Sequence, residues 1–253
     1  MISKLSYLYD GSFEGLLTAV WEAYYAKEDP SEIIWEGVSH PNLLSSTKMI
    51  YTDANKADRV YRAVEEKISH AALRRIFYIY LSGEPESGII VLNYLRIGFR
   101  LGAAVDDYHA EPTVLKSEKL YNKVAMEKHR QAGLIRFKRL ESGVFYSKID
   151  PDHNVIALLA PHFAARMPSE YWILHDAGRG IAVFYDKNDW VVRNLETPED
   201  IVLKEEEETY QEMWKAYYRH LSIESRKNMS LKKRMMPVRY WKNLIEEGIE
   251  LWS

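Results

Sequence analysis

Residues 134–194 read LIRFKRLESGVFYSKIDPDHNVIALLAPHFAARMPSEYWILHDAGRGIAVFYDKNDWVVRN, and the fold class turns on them. Leu134–Leu140 alternates in part between apolar and polar residues, and Val144–Ile149 follows a Glu-Ser-Gly turn, which predicts a β-hairpin. Asp150-Pro151-Asp152 is a turn or helix cap. Asn154–Arg166 has helical spacing and stops ahead of Pro168, with Pro161 as a point of kinking or division. Three short apolar runs follow: Tyr171–His175, Gly180–Tyr185 and Trp190–Asn194. Their separators, Asp176-Ala177-Gly178-Arg179 and Asp186-Lys187-Asn188-Asp189, are turn chemistry. The order is β-β-α-β-β-β, and the expected sheet is antiparallel.

The flanks are helical. On the N-terminal side a strand, Leu5–Tyr9, ends at Asp10-Gly11-Ser12. Phe13, Leu16, Leu17, Val20, Trp21 and Tyr24 then recur on one helical face. Ile33–Glu36 reads as a short extended piece, and a looser stretch runs through His40-Pro41 to Tyr51. From Thr52 to about Gln131 four helices are expected, with stops at Gly83-Glu84-Pro85 and near Gly102 and a start at Pro112. On the C-terminal side one helix is expected from Pro198 to about Ser222, with Tyr210, Met213, Trp214 and Tyr217 on one face. Another follows Met236-Pro237. The expectation is an α+β protein: a mostly helical part at 1–132, an antiparallel sheet part at 133–197 and C-terminal helices at 198–253, together forming one unit.

Composition narrows the chemistry. The 253 residues include no cysteine. That excludes disulfides, a cysteine-ligated iron–sulfur cluster, a thiol nucleophile and a His/Cys/Cys zinc site within this sequence. His153, His162 and His175 lack the i, i+4 spacing of a helical metal site, so no metal and no cofactor is expected in this chain. The start, MISKLSYLYDGSFEG, has no apolar signal-peptide core. Asn93, Arg96 and Arg100 interrupt the apolar run Gly88–Leu101 well short of the ~20 residues of a membrane span. A cytoplasmic protein without a membrane is expected.

The net charge of −3 conceals segregation. Ser225–Ile245 holds seven basic residues and no acid. Lys119–Arg139 holds seven basic residues against Glu127 alone. Acid is concentrated between Asp189 and Glu212, where Glu205–Glu208 reads as a solvated helix start. Cations that neutralise phosphates, with Tyr240-Trp241 as rings able to stack on bases, suit nucleic acid. Arg130, Arg136, Lys138, Lys232, Arg234, Arg239, Tyr240 and Trp241 are the candidate contacts. Arg166, one turn after His162, and Arg179 are further phosphate candidates, although an Arg179–Asp176 ion pair is the simpler expectation. Asp10, His162 and Asp176 are the candidate acid–base groups if the protein is an enzyme. Ser39-His40-Pro41-Asn42 is similar to the histidine loop of uracil-DNA glycosylases, but the rest of that motif set is absent.

Four segments carry a wider resemblance: YDGSFEGLLTAV at 9–20; EKHRQAGLIRF at 127–137; YSKIDPDHNV at 146–155 with HFAAR at 162–166, WILHD at 172–176 and Arg179; and KNMSLKKRMMPVRYWK at 227–242. Together they resemble a bacterial family described as DNA metabolism or repair proteins. The resemblance implies a neighbouring radical-SAM protein as partner, and similar domains occur fused to uracil-DNA-glycosylase-like domains. Any iron–sulfur cluster would then belong to the partner. Thr18-Ala19-Val20 departs from a family opening that often carries cysteine there. Three functions follow as expectations: a DNA-binding accessory protein, a protein–protein interaction module, or a glycosylase- or lyase-like enzyme.

Overall fold

The computed structural model describes residues 5–37, 46–196, 207, 210–213, 215 and 228–245. The Ser39–Asn42 motif and most of the expected helix after Pro198 lie outside these residues. The chain divides into two compact units, 1–125 and 126–253, so the described residues of the expected sheet and tail regions share one unit.

In the first unit, strand β1 (Leu5–Tyr9) leads into helix α1 (Phe13–Tyr25). The Ser12 hydroxyl starts α1 by accepting the Gly15 amide at 2.9 Å. Strands β2 (Glu32–Trp35) and β3 (Ser46–Met49) flank β1, and both pair with it in parallel. Tyr7 stands opposite Ile33 on one side and Lys48 on the other. A parallel pair requires a crossover, and α1 supplies the one between β1 and β2. The expected strand at Leu5–Tyr9 and extended piece at Ile33–Glu36 are therefore joined in a parallel sheet, and β3 is the strand that the mostly helical expectation lacks. The β3 sequence STKM is largely exposed and has no apolar face to announce it; β1 recruits it through main-chain bonds.

Helices α2 (Ala54–Lys67), α3 (His70–Leu81), α4 (Ser87–Leu101) and α5 (Pro112–Leu134) follow as expected. Asp53 and Ser69 cap α2 and α3. Gly88 lets α4 lie against β2, because a β-carbon there would run into the Ile33 carbonyl. Ser87–Asp107 is long and apolar enough to cross a membrane, and Val91, Leu92, Tyr94 and Leu95 within it are fully buried in this unit's core. Tyr7, Leu16, Ile33, Ile76 and Ile79 complete that core.

The second unit is built on the sheet β4 (Lys138–Arg139), β5 (Phe145–Ile149), β6 (Trp172–Asp176), β7 (Ile181–Tyr185) and β8 (Trp190–Asn194), in that spatial order. It is mixed, which corrects the antiparallel expectation. The β5–β6 pair is parallel, because helix α6 (Ile156–Arg166) carries the chain back to the starting end. The other neighbours are antiparallel. Pro161 sits inside α6 without dividing it. Phe163 and Trp172 fill the space between helix and sheet, and Trp172 stacks on Tyr185 at 5.0 Å. Helix α7 (Met229–Met235) and a 3-10 turn (Val238–Asn243) close the described chain. The turn occupies the start of the helix expected after Pro237.

Candidate nucleic-acid interface

A carboxylate cluster organises the second unit around the loop 150–153. Glu127, on α5, is 3% exposed and accepts the main-chain amides of Asp152 and His153, each at 2.8 Å. It also accepts the Tyr240 hydroxyl. The 3-10 turn reaches the same loop: Arg239 Nη2 meets Asp152 Oδ2 at 2.6 Å, and Lys242 pairs with Asp150. From the sheet side Arg179 donates to the carbonyls of Pro151 (3.0 Å) and Asp152 (2.6 Å) and to Asp176 Oδ2 (2.9 Å). The Arg179 amide also donates to Asp176 Oδ1 at 3.2 Å. Gly178 leaves the room this requires, since a β-carbon there would lie 2.8 Å from Asp150 Oδ1. Sequence reasoning misses Glu127, Asp150, Asp152 and Lys242 as members of a site. Glu127 carries a signal, as the lone acid in a basic block, which suits a buried partner for neighbouring donors.

This cluster takes up several residues expected to meet phosphate or bases. Tyr240 is 2% exposed, so its ring is closed to a base; burial first, then the Glu127 hydrogen bond, pushes its hydroxyl pKa well up. Arg239 and Arg179 hold the 150–153 loop. Trp241 donates its indole N–H to the Met236 carbonyl at 2.9 Å and carries the Lys232 ammonium over its ring at 4.9 Å, which ties α7 to the 3-10 turn. Arg136 donates to the carbonyls of Gly133 and Ile135.

Other candidates reach the surface. Arg130 is half-buried, and its guanidinium reaches the Arg234 carbonyl at 3.3 Å, so the two basic blocks meet. Lys233 and Arg234 are exposed on α7, and Lys138 is half-buried on β4. His162 and Arg166 are exposed on α6, and no hydrogen bond or ion pair among the described residues joins them to Arg179.

Of the acid–base candidates, His162 and Asp176 belong to the second unit, and no hydrogen bond or ion pair among the described residues links these two. Asp10 belongs to the first unit, at the end of β1. It accepts the Ser12 amide and hydroxyl (3.0 and 2.7 Å) and the Thr52 hydroxyl (2.7 Å). Burial opposes its ionisation, but these bonds outweigh burial and hold its pKa below the usual value. Gly11, at φ +82°, makes the tight turn there under the Trp35 ring. Asp176 is fully buried. Burial raises its pKa, and Arg179 pulls it part of the way back. His175 and Asp176 are successive strand residues and point to opposite faces. The imidazole Nδ1 pairs with the Tyr146 hydroxyl at 2.7 Å, and burial lowers its pKa. Among the described residues, no three His, Asp or Glu side chains form a metal-holding group.

No curated protein and no solved structure matches the chain. One family model does, over residues 85–246, for a family described as a domain of unknown function, DUF4130. The match takes in the second unit's described sheet and every member of the carboxylate cluster, and it leaves Asp10 outside. With more than half of its length matched, the chain belongs to the DUF4130 family.

Proposed function

We propose that this protein is a nucleic-acid-binding accessory protein of DNA metabolism or repair that serves a radical-SAM partner. The observation that carries the reading is the junction of the basic blocks, where Arg130 reaches the Arg234 carbonyl beside the exposed Lys233. Acids of the cluster neutralise Arg179, Arg239 and Lys242, whereas no ion pair among the described residues engages Lys233 or Arg234. The phosphate-binding surface is therefore Arg130, Lys233 and Arg234, with Lys138 as a further contact. The expected result is DNA binding whose log affinity falls linearly with log salt. Replacing Lys233 and Arg234 together by alanine should flatten that slope by about 2, roughly one for each cation taken away from a phosphate. A slope unchanged by the pair, or no DNA binding at low salt, defeats the proposal.

A protein-interaction role has its own observation. Strand β8 is an edge strand among the described residues and is exposed along its whole length, including Trp190, Val191 and Val192. Such an edge accepts a strand from a partner. Val191→Lys should abolish co-purification with the radical-SAM partner and leave DNA binding intact. Unchanged co-purification removes this role from β8.

A further inference from the structure

The geometry points to a second nucleic-acid contact in the first unit: a groove between α1, α2 and α4 that takes an unpaired base of a single strand. It encloses about 410 Å³, within the range of small-ligand sites. Its floor is aromatic. Trp21 and Tyr25, one turn apart on α1, stack at 4.0 Å with planes 16° apart. Tyr24 meets Phe99 of α4 edge to face at 5.7 Å. Trp21 and Phe99 pack against the core, and Lys56 lies over the Trp21 ring at 4.5 Å, whereas Tyr25 is 68% exposed and Tyr24 43%, so the tyrosines are the rings open to solvent. Buried ring pairs stabilise a fold; exposed ones give a platform on which a base adds a third layer.

The charge around the groove selects the occupant. Arg59 and Lys67 line it from α2, and no carboxylate does. Arg100 follows the lining residue Phe99 on α4; burial raises the pKa of the Tyr24 hydroxyl, and Arg96 and Arg100 oppose that rise. Arg59, Lys67 and Arg100 are exposed, and none makes an ion pair among the described residues. Glu22, on the same helix as the stacked rings, is already committed to Lys56 at 2.6 Å. An uncharged apolar helix would fill the groove but leave these cations unanswered. A single-stranded nucleic acid answers both features, with bases for the rings and phosphates for Arg59, Lys67 and Arg100. A duplex keeps its bases stacked inside and cannot use the ring platform. This inference rests on the nucleic-acid reading for its ligand class but uses none of the residues of the basic blocks.

The test is ultraviolet crosslinking of the full chain to an oligothymidylate of about twelve nucleotides, a length within single-strand site sizes. Mass spectrometry locates the crosslinks, and fluorescence anisotropy gives the affinity. Crosslinks at Trp21, Tyr24, Tyr25 or Phe99 are expected. Tyr25→Ala should weaken single-strand binding by about 5- to 100-fold, the range for removing the ring under one stacked base. Arg59→Ala with Lys67→Ala should weaken it and flatten its salt dependence. All three side chains are exposed, so these variants should fold, and their duplex binding through Lys233 and Arg234 should be unchanged. Crosslinks confined to 126–139 and 228–245, or an affinity indifferent to both variants, overturn the groove and leave the basic-block reading standing. Groove variants that matter while the Lys233/Arg234 pair does not overturn that reading and keep the groove. Polyglutamate competing as well as the oligonucleotide at equal charge overturns the assignment to nucleic acid. Absence of binding to any strand overturns both.

Discussion

Replacing Glu127 by alanine is expected to destabilise the second unit by about 4 kcal/mol, since a hydrogen bond to a charged acceptor contributes roughly 1.5–3 kcal/mol and three are lost while water regains part of the difference. The carboxylate is 3% exposed, and its bonds go to the Asp152 amide, the His153 amide and the Tyr240 hydroxyl. Alanine leaves all three donors facing a space lined by protein. Arg239 keeps Asp152 at 2.6 Å, so the loss is one of hydrogen bonding more than of an abandoned cation. Glutamine is the sharper control. Oε1 serves Asp152 and Tyr240 while Oε2 serves His153, so an amide NH2 must face a donor on one side. About half the alanine effect is expected from it. Urea unfolding measures the stability, and hydrogen exchange gives the site-specific readout, because the Asp152 and His153 amides should lose protection first. A Glu127→Ala variant within about 1 kcal/mol of the parent would show that the carboxylate does not organise this loop.

The same residues show where the sequence is readable and where it is not. Strands β5 to β8 are legible because apolar runs alternate with Asp/Gly/Asn turns, and β8 falls where its pattern predicts, at Trp190–Asn194. The parallel β5–β6 pairing is harder to see, although the helix between the strands implies it: a long crossover and a tight turn leave the strands themselves looking alike. Strand β3 is invisible because its partner, and not its own apolar pattern, makes it a strand. Helix α7 reads only as a run of charge, since none of its residues is buried. Within the site, the basic blocks are legible as composition, but composition does not say which cations are already paired. Arg239, Lys242 and Arg179 are separated from Lys233 and Arg234 only by the acids that fold against them, most from positions far along the chain. Asp10, His162 and Asp176 are residue types able to move protons. The bonds made by Asp10 and Asp176 are those of a turn and of a buried ion pair.

That ion pair gives the second large effect. Asp176 is fully buried and meets Arg179 through both the guanidinium (2.9 Å) and the amide (3.2 Å), and Arg179 also satisfies the Pro151 and Asp152 carbonyls. Arg179→Ala leaves a buried carboxylate without its cation. The expected cost at neutral pH is about 3 kcal/mol, at the low end for a broken buried pair because the Arg179 side chain is 30% exposed. The pH dependence identifies the cause. Burial already raises the Asp176 pKa above its ordinary value, and Arg179 is what draws it back. A carboxyl whose folded pKa is raised binds its proton more tightly in the native state. Its contribution is therefore fully present below the unfolded value and is lost as pH rises through the folded one. Without Arg179 the folded pKa climbs further, so more is lost by neutral pH and the gap between variant and parent is widest there. The gap should narrow as pH falls from neutral into the acid range, because a protonated acid no longer needs a cation. Asp176→Asn added to Arg179→Ala should recover much of the loss at neutral pH and should flatten the pH dependence, because the charge itself is gone. A destabilisation equal at neutral and at acid pH, and unrelieved by asparagine, would mean that Arg179 acts through the two loop carbonyls alone and that its pairing with Asp176 carries no energy.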